Sequence, residues 1–161
     1  ICFARGTFNA HPHVMGAMSV FLEKIESPQI AEIYQNVDLV WNQRREMFNQ
    51  VMVDKKLPLR AANMSSVWSL YYTEPSRYNW MLQYYLRSEG LALSWVGTGR
   101  LIFSLNYSDD EFAEVLKRFV NACERMTADQ WFWAPPELTN QKIKRGIFKE
   151  MFFSKNQFIS N

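Results

Sequence analysis

Gly6 and Thr7 stand six and five residues ahead of Pro12, in the run Gly6-Thr7-Phe8-Asn9-Ala10-His11-Pro12. Glycine lets a backbone come close to a ligand, and threonine offers both a hydroxyl and an amide donor. Proline then opens a helix, because its missing N–H costs nothing in the first turn. Donors gathered ahead of a helix start suit an anion, a phosphate above all. The same pattern serves as a plain strand-to-helix connector, and by geometry alone the connector is the commoner use. Arg100 is the second residue of interest, since it follows Gly97-Thr98-Gly99 and opens an apolar stretch that should lie partly in the core. A guanidinium held there binds a carboxylate through two parallel hydrogen bonds. The alternative is an edge-strand arginine with its head in solvent, which spacing alone narrowly favours.

Self-contained catalysis is thinly represented. His11 and His13 flank a proline, with no carboxylate or cysteine at metal-ligand spacing, so no metal site is expected. No nucleophile elbow, phosphate-binding loop of the Walker type or dinucleotide fingerprint occurs. Asp109-Asp110-Glu111 follows Ser108, and an acidic first turn is better explained by the helix dipole than by paired-acid catalysis.

The elements that must position these residues follow from periodicity. Val14, Ala17, Met18, Phe21, Leu22 and Ile25 recur at helical steps behind Pro12. Ser27-Pro28 reads as an N-cap and first helical position for a second helix. Its apolar stripe of Ile30, Ile33, Tyr34, Val37, Trp41, Phe48, Val51 and Met52 ends near Asp54, while Asn42, Gln43, Arg45, Glu46 and Gln50 fit a solvated face. Residues 63–73, rich in Ser, Val, Trp and Tyr, predict one strand. Glu74-Pro75-Ser76 opens a third helix that stops at Glu89-Gly90. Short strands are expected at Leu91–Trp95 and Arg100–Leu105, flanking the Gly97-Thr98-Gly99 turn. Ser108 and Glu111 spell a capping box for a helix whose buried face carries Phe112, Val115, Leu116, Phe119, Val120 and Cys123. After Trp131-Phe132-Trp133-Ala134-Pro135-Pro136, a last helix sets Ile143, Ile147, Phe148, Met151 and Phe152 opposite Lys142, Lys144, Arg145 and Lys149. This order describes a compact α+β unit.

Composition narrows the class. The 161 residues are 48% hydrophobic and 16% aromatic, enough for one domain with a real core. A net charge of +2 gives no footprint for nucleic acid or an acidic membrane face, so neither is expected as a partner. No apolar stretch is long enough to span a bilayer. Cys2 and Cys123 lie far apart, as free thiols do in a reducing, cytoplasmic compartment. The opening Ile1-Cys2-Phe3, strand-like and without an initiator methionine, reads as the edge of something larger, and the chain is expected to be a fragment.

Three motifs in this order resemble the C-terminal portion of class III pyridoxal-phosphate-dependent aminotransferases, in their glutamate-1-semialdehyde aminomutase-like branch. They are the Gly6–Pro12 run with Val14-Met15-Gly16-Ala17, then Leu86-Arg87-Ser88-Glu89-Gly90, then Leu101-Ile102-Phe103-Ser104-Leu105-Asn106-Tyr107-Ser108-Asp109-Asp110-Glu111. The likeness covers about residues 1–126. The tail from Leu138-Thr139-Asn140 to Lys149-Glu150-Met151 is similar to an extension in aminotransferases of natural-product pathways, prodigiosin-type enzymes among them. The resemblance implies the small domain of a fold-type I transferase, with helices packed on a short antiparallel sheet. Residues 1–26 would close the large domain, 27–130 form the small domain, and 131–161 a linker and C-terminal helix.

It further implies that Gly6 and Thr7 bind the phosphate of pyridoxal 5'-phosphate held by the partner subunit of a homodimer. Arg100 lines up with an arginine that grips the substrate carboxylate in many relatives and is often missing from the aminomutase branch. Tyr107 stands where many relatives carry histidine. The lysine and aspartate that such enzymes need would lie upstream, in a missing N-terminal half. Lys24, Lys55, Lys56, Lys117, Lys142, Lys144, Lys149 and Lys155 occupy helix-face or linker contexts, so no catalytic residue is assigned within the chain. The implied activity transfers an amino group from an amino-acid donor to an aldehyde or ketone acceptor. The alternative is an interaction module of the same fold without a cofactor, docking through its aromatics and basic tail.

Overall fold

A computed structural model describes residues 11–92 and 99–158, with residues 154–158 as backbone alone. Two helices come first, α1 (Pro12–Ile25) and α2 (Pro28–Asp54), each with proline in its first turn. Ser27 occupies the N-cap position of α2, but its hydroxyl turns back to donate to the Lys24 carbonyl at 2.7 Å and closes α1 instead. The three strands β1 (Leu59–Met64), β2 (Val67–Tyr72) and β3 (Arg100–Ile102) form an antiparallel sheet in that order. A 3-10 turn at Asn79–Met81 leads into α3 (Leu82–Ser88). Helices α4 (Asp109–Ala128) and α5 (Asn140–Phe158) complete the chain, giving the expected α+β combination of helices and a short antiparallel sheet.

Where one strand is expected over residues 63–73, the chain makes a hairpin. Met64 pairs with Val67 across Ser65-Ser66, and Ser65 sits at φ +53°. Hairpin turns of this length favour glycine or asparagine, so the serine pair hides the reversal. Leu59 and Ala61 of β1 are buried beneath α2. Asn49 of α2 supplies the partners for Ala61 on the side away from β2. Its carbonyl oxygen accepts from the Ala61 N–H at 2.8 Å, and its amide donates to the Ala61 carbonyl at 2.9 Å.

The strand expected over Arg100–Leu105 keeps its ladder only to Ile102, opposite Val67, where β2 begins. Phe103 donates one further bond to the Ser66 carbonyl before the chain turns away. Of the strand expected at Leu91–Trp95 and the following turn, residues 93–98 lie outside the described residues. Gly99 is described, and only glycine suits it. Its φ is +66°, and a Cβ there would stand 2.8 Å from the Leu70 carbonyl oxygen.

The core is an aromatic cluster. Trp41 stacks on Phe103 at 4.9 Å and meets Trp68 and Phe112 edge-on, while Phe48 meets Trp68 and Phe119 the same way. Each such pair contributes about 0.5–1.5 kcal/mol beyond its buried area. Three helix ends deliver apolar residues to this core by one device. At α2, α3 and α4 the residue after the C-cap (Lys56, Gly90 and Gln130) turns left-handed. The next N–H, from Leu57, Leu91 and Trp131 respectively, then bonds back to Met52, Leu86 and Met126. The expected stop at Glu89-Gly90 and the Ser108–Glu111 capping box are both present.

No residue of α1 is buried, and Val14, Met15, Met18, Val20, Phe21 and Leu22 are all exposed. No helix among the described residues is long and apolar enough to cross a membrane.

Candidate functional site

Gly6 and Thr7 lie outside the described residues, so the structure carries nothing about the turn they form. Arg100 is placed as the first residue of β3, opposite Ser69, and it is exposed, as an arginine with its head in solvent would be, while the stretch it opens reaches the core at Phe103. The reason is pleat alternation. Leu101 pairs with buried Trp68 on the core side, and its neighbours Arg100 and Ile102 are the exposed ones. Among the described residues Arg100 makes no ion pair.

Arg100 borders a cleft of about 420 Å³ whose other walls include Leu91, Leu101, Phe103, Tyr107, Val115 and Phe119. Residues on two sides of this cleft are tied down, on one by α4 and on the other by Arg44 of α2. On one side Glu89 accepts from Arg125 at 2.8 Å and from Asn121 at 3.3 Å, and Arg118 donates to its backbone carbonyl at 3.0 Å. The hydrogen bond from Arg125, then that from Asn121, keeps the Glu89 carboxyl below its usual range. Leu91, two residues on, lines the cleft.

On the other side a buried arginine fixes Tyr107. One Nη of Arg44 donates to the Tyr107 carbonyl and to the Asp109 carboxylate, both at 2.8 Å. The guanidinium stacks over Trp41 at 4.7 Å and Phe112 at 5.4 Å. Sequence reading passed over Arg44. The available signal was its place three residues after Trp41 and four before Phe48, which puts it on the apolar stripe.

Asp109 therefore serves both the start of α4 and the Arg44 clamp. Glu111 fills the capping box, where bonds from the Ser108 backbone and hydroxyl hold its carboxyl below the usual range. Neither acid lines the cleft.

The described residues that line the cleft include no carboxylate, histidine, cysteine or lysine, so they offer no carboxylate or imidazole base. A guanidinium on the rim of an apolar recess suits a ligand with a carboxylate and an apolar body. Lys24, Lys55, Lys56, Lys117, Lys142, Lys144 and Lys149 are all exposed. No group of three or more potential metal ligands occurs among the described residues. Cys123 is buried in the core, which pushes its thiol up to about 12, while Cys2 lies outside the described residues.

Comparison with family models and with curated proteins gives no match. Solved structures do match in shape. A transaminase with PLP bound superposes over 80% of this chain with a TM-score of 0.62 and 18% identity. An omega-transaminase from Sphaerobacter thermophilus superposes over 76% with a TM-score of 0.60 and 15% identity. At these identities the likeness is one of fold. The chain spans about 30% of the length of each of these transaminases.

Proposed function

We propose that this chain is the C-terminal part of a pyridoxal-phosphate-dependent class III aminotransferase of the glutamate-1-semialdehyde aminomutase-like kind. The observation that carries the reading is the shared fold with two transaminases over some four-fifths of the chain. The three motifs spaced along residues 6–111 support it independently. The complete enzyme moves an amino group from an amino-acid donor to an aldehyde or ketone, in a natural-product pathway. It works as a homodimer, and this chain contributes part of the dimer interface and a small domain covering the substrate.

Within that reading, Gly6 and Thr7 hold the cofactor phosphate of the neighbouring subunit through backbone and hydroxyl donors. Arg100 takes the donor's carboxylate, and its exposed guanidinium beside an apolar cleft fits that ligand. Bound pyridoxal phosphate supplies the electron sink that transamination requires. The lysine that works with it is assigned to the part of the enzyme outside this chain.

The test is Thr7→Ala in the complete enzyme. The expected result is faster loss of pyridoxal phosphate on dialysis, read from the coenzyme's visible absorption. Unchanged retention would remove the phosphate role from Thr7. A complete protein that stays colourless after adding pyridoxal phosphate would refute the enzyme reading and favour an interaction module of the same fold.

A further inference from the structure

Helix α5 carries a concentration of charge that the whole-chain value of +2 averages away. Residues 140–158 contain Lys142, Lys144, Arg145, Lys149 and Lys155 against a single acid, Glu150. Glu150 is neutralised by a two-pronged ion pair with Arg77. Lys142 lies 3.7 Å from Glu137. Among the described residues Lys144, Arg145 and Lys149 make no ion pair.

The helix surface divides in an ordered way, each residue turning by about 100°. The Arg77–Glu150 contact ties one side to the body, where Ile143 is half-buried and Ile147 is the least exposed of the helix's large exposed apolar residues. Further round come Met151, Phe148 and Phe152, 60–71% exposed. Beyond them lie Arg145, Lys149 and Lys142, with Phe153, 71% exposed, next to Lys142 at their far edge. An apolar strip is thus flanked by the body on one side and by cations on the other, with Lys144 long enough to reach out from within the strip.

No second helix or strand packs extensively along α5 among the described residues, so its outer face is convex and no groove accompanies it. A groove-forming protein partner would have to supply the whole concavity. A deformable anionic surface needs only the strip and the cations. Phenylalanine enters the boundary between headgroups and acyl chains, and lysine and arginine meet lipid phosphate and carboxylate beside it.

We propose that α5 lies on an anionic lipid surface, with Phe148, Met151 and Phe152 inserted and Arg145 and Lys149 on the headgroups. This inference is independent of the cofactor and of the amino-transfer reading.

The experiment is cosedimentation of the complete enzyme that contains this chain with vesicles of phosphatidylcholine alone or mixed with phosphatidylserine. Partitioning is expected to be on the order of a hundredfold stronger onto the mixed vesicles, the weight of three unpaired cations. It should weaken as salt is raised. Phe148→Ser with Phe152→Ser is expected to lower it about tenfold or more, and Arg145→Glu with Lys149→Glu to abolish the lipid preference. Lys117→Glu on α4 serves as a control and should leave it unchanged, and circular dichroism confirms that each variant is folded. Equal partitioning onto both vesicles, none onto either, or binding insensitive to the α5 substitutions would overturn the proposal. Any of these outcomes would point to a protein surface as the cover of α5.

Discussion

Replacing Arg44 isolates what a buried guanidinium does in this fold. Its side chain is 8% exposed, whereas that of its ion-pair partner Asp109 is 96% exposed. Water therefore resolvates Asp109 when Arg44 is removed, and the ion pair itself is worth about 1 kcal/mol or less. The Tyr107 carbonyl is in a different position, because Arg44 is its partner in a part-buried setting. Leaving it unsatisfied costs about 1–3 kcal/mol. Loss of the stack over Trp41 adds roughly 0.5–1 kcal/mol. Arg44→Ala also opens a void between Trp41 and Phe112, so the total is about 3 kcal/mol.

Arg44→Met fills most of that volume and also removes the Arg44 Nε, which is buried without a hydrogen-bond partner. It should cost about 1 kcal/mol less than Arg44→Ala. Urea denaturation at constant slope reads both values, and at this size 3 kcal/mol lowers Tm by roughly 6–12 °C. Asp109→Ala is the discriminating control. If it destabilises as much as Arg44→Ala, the exposed ion pair carries the clamp and the reasoning from burial fails.

Other substitutions test separate contacts. Gly99→Ala should destabilise by about 2–3 kcal/mol, since it adds both a left-handed penalty and a clash with the Leu70 carbonyl; a neutral result in thermal melts would mean that β3 is not held against β2 as described. The Glu111 carboxyl is held below its ordinary 4.5 by bonds from Ser108, so its contribution is present above that value and lost as pH falls through the lower, folded value. In urea midpoints recorded from pH 6 downward, Glu111→Gln should accordingly lose less stability on acidification than the parent; parallel curves would contradict the capping-box assignment. With Cys2→Ser removing the other thiol, Cys123 should react with a thiol-specific reagent only as fast as the domain opens, given its burial and raised pKa. Fast labelling of the native protein would place Cys123 outside the core.

Local signals carried much of the architecture into the sequence. Proline at the start of α1 and α2, the Ser108–Glu111 box and the glycine after α3 each leave a local trace, and each is where expected. What escaped depends on partners distant in sequence. Strand β1 reads Leu-Arg-Ala-Ala-Asn-Met, which lacks strand formers, and it forms because β2 pairs with it and Asn49 completes it. Lys56 and Gln130 turn left-handed without being glycine, so two of the three helix ends carry no glycine stop signal. The third helix begins later than Ser76 suggests, since the Ser76 hydroxyl accepts from Tyr78 N–H in a tight turn and the 3-10 segment follows.

The candidate site was legible in part. Arg100 could be picked out by its place after a glycine turn, but its exposure follows from the pleat of a sheet whose middle strand was misjudged in extent. Arg44 was visible only as an arginine on an apolar stripe, a placement that composition averages conceal.

Asn49 has a consequence for how copies of this chain treat one another. A strand at the rim of a sheet is a template on which a foreign strand can add, and successive additions build fibrils. Here an asparagine side chain imitates the missing neighbour at the centre of β1 and occupies the very groups that a recruit would need. Asn49→Leu would therefore do more than loosen a helix–strand contact: it would reopen the rim to templated addition, and light scattering on prolonged incubation would register the change.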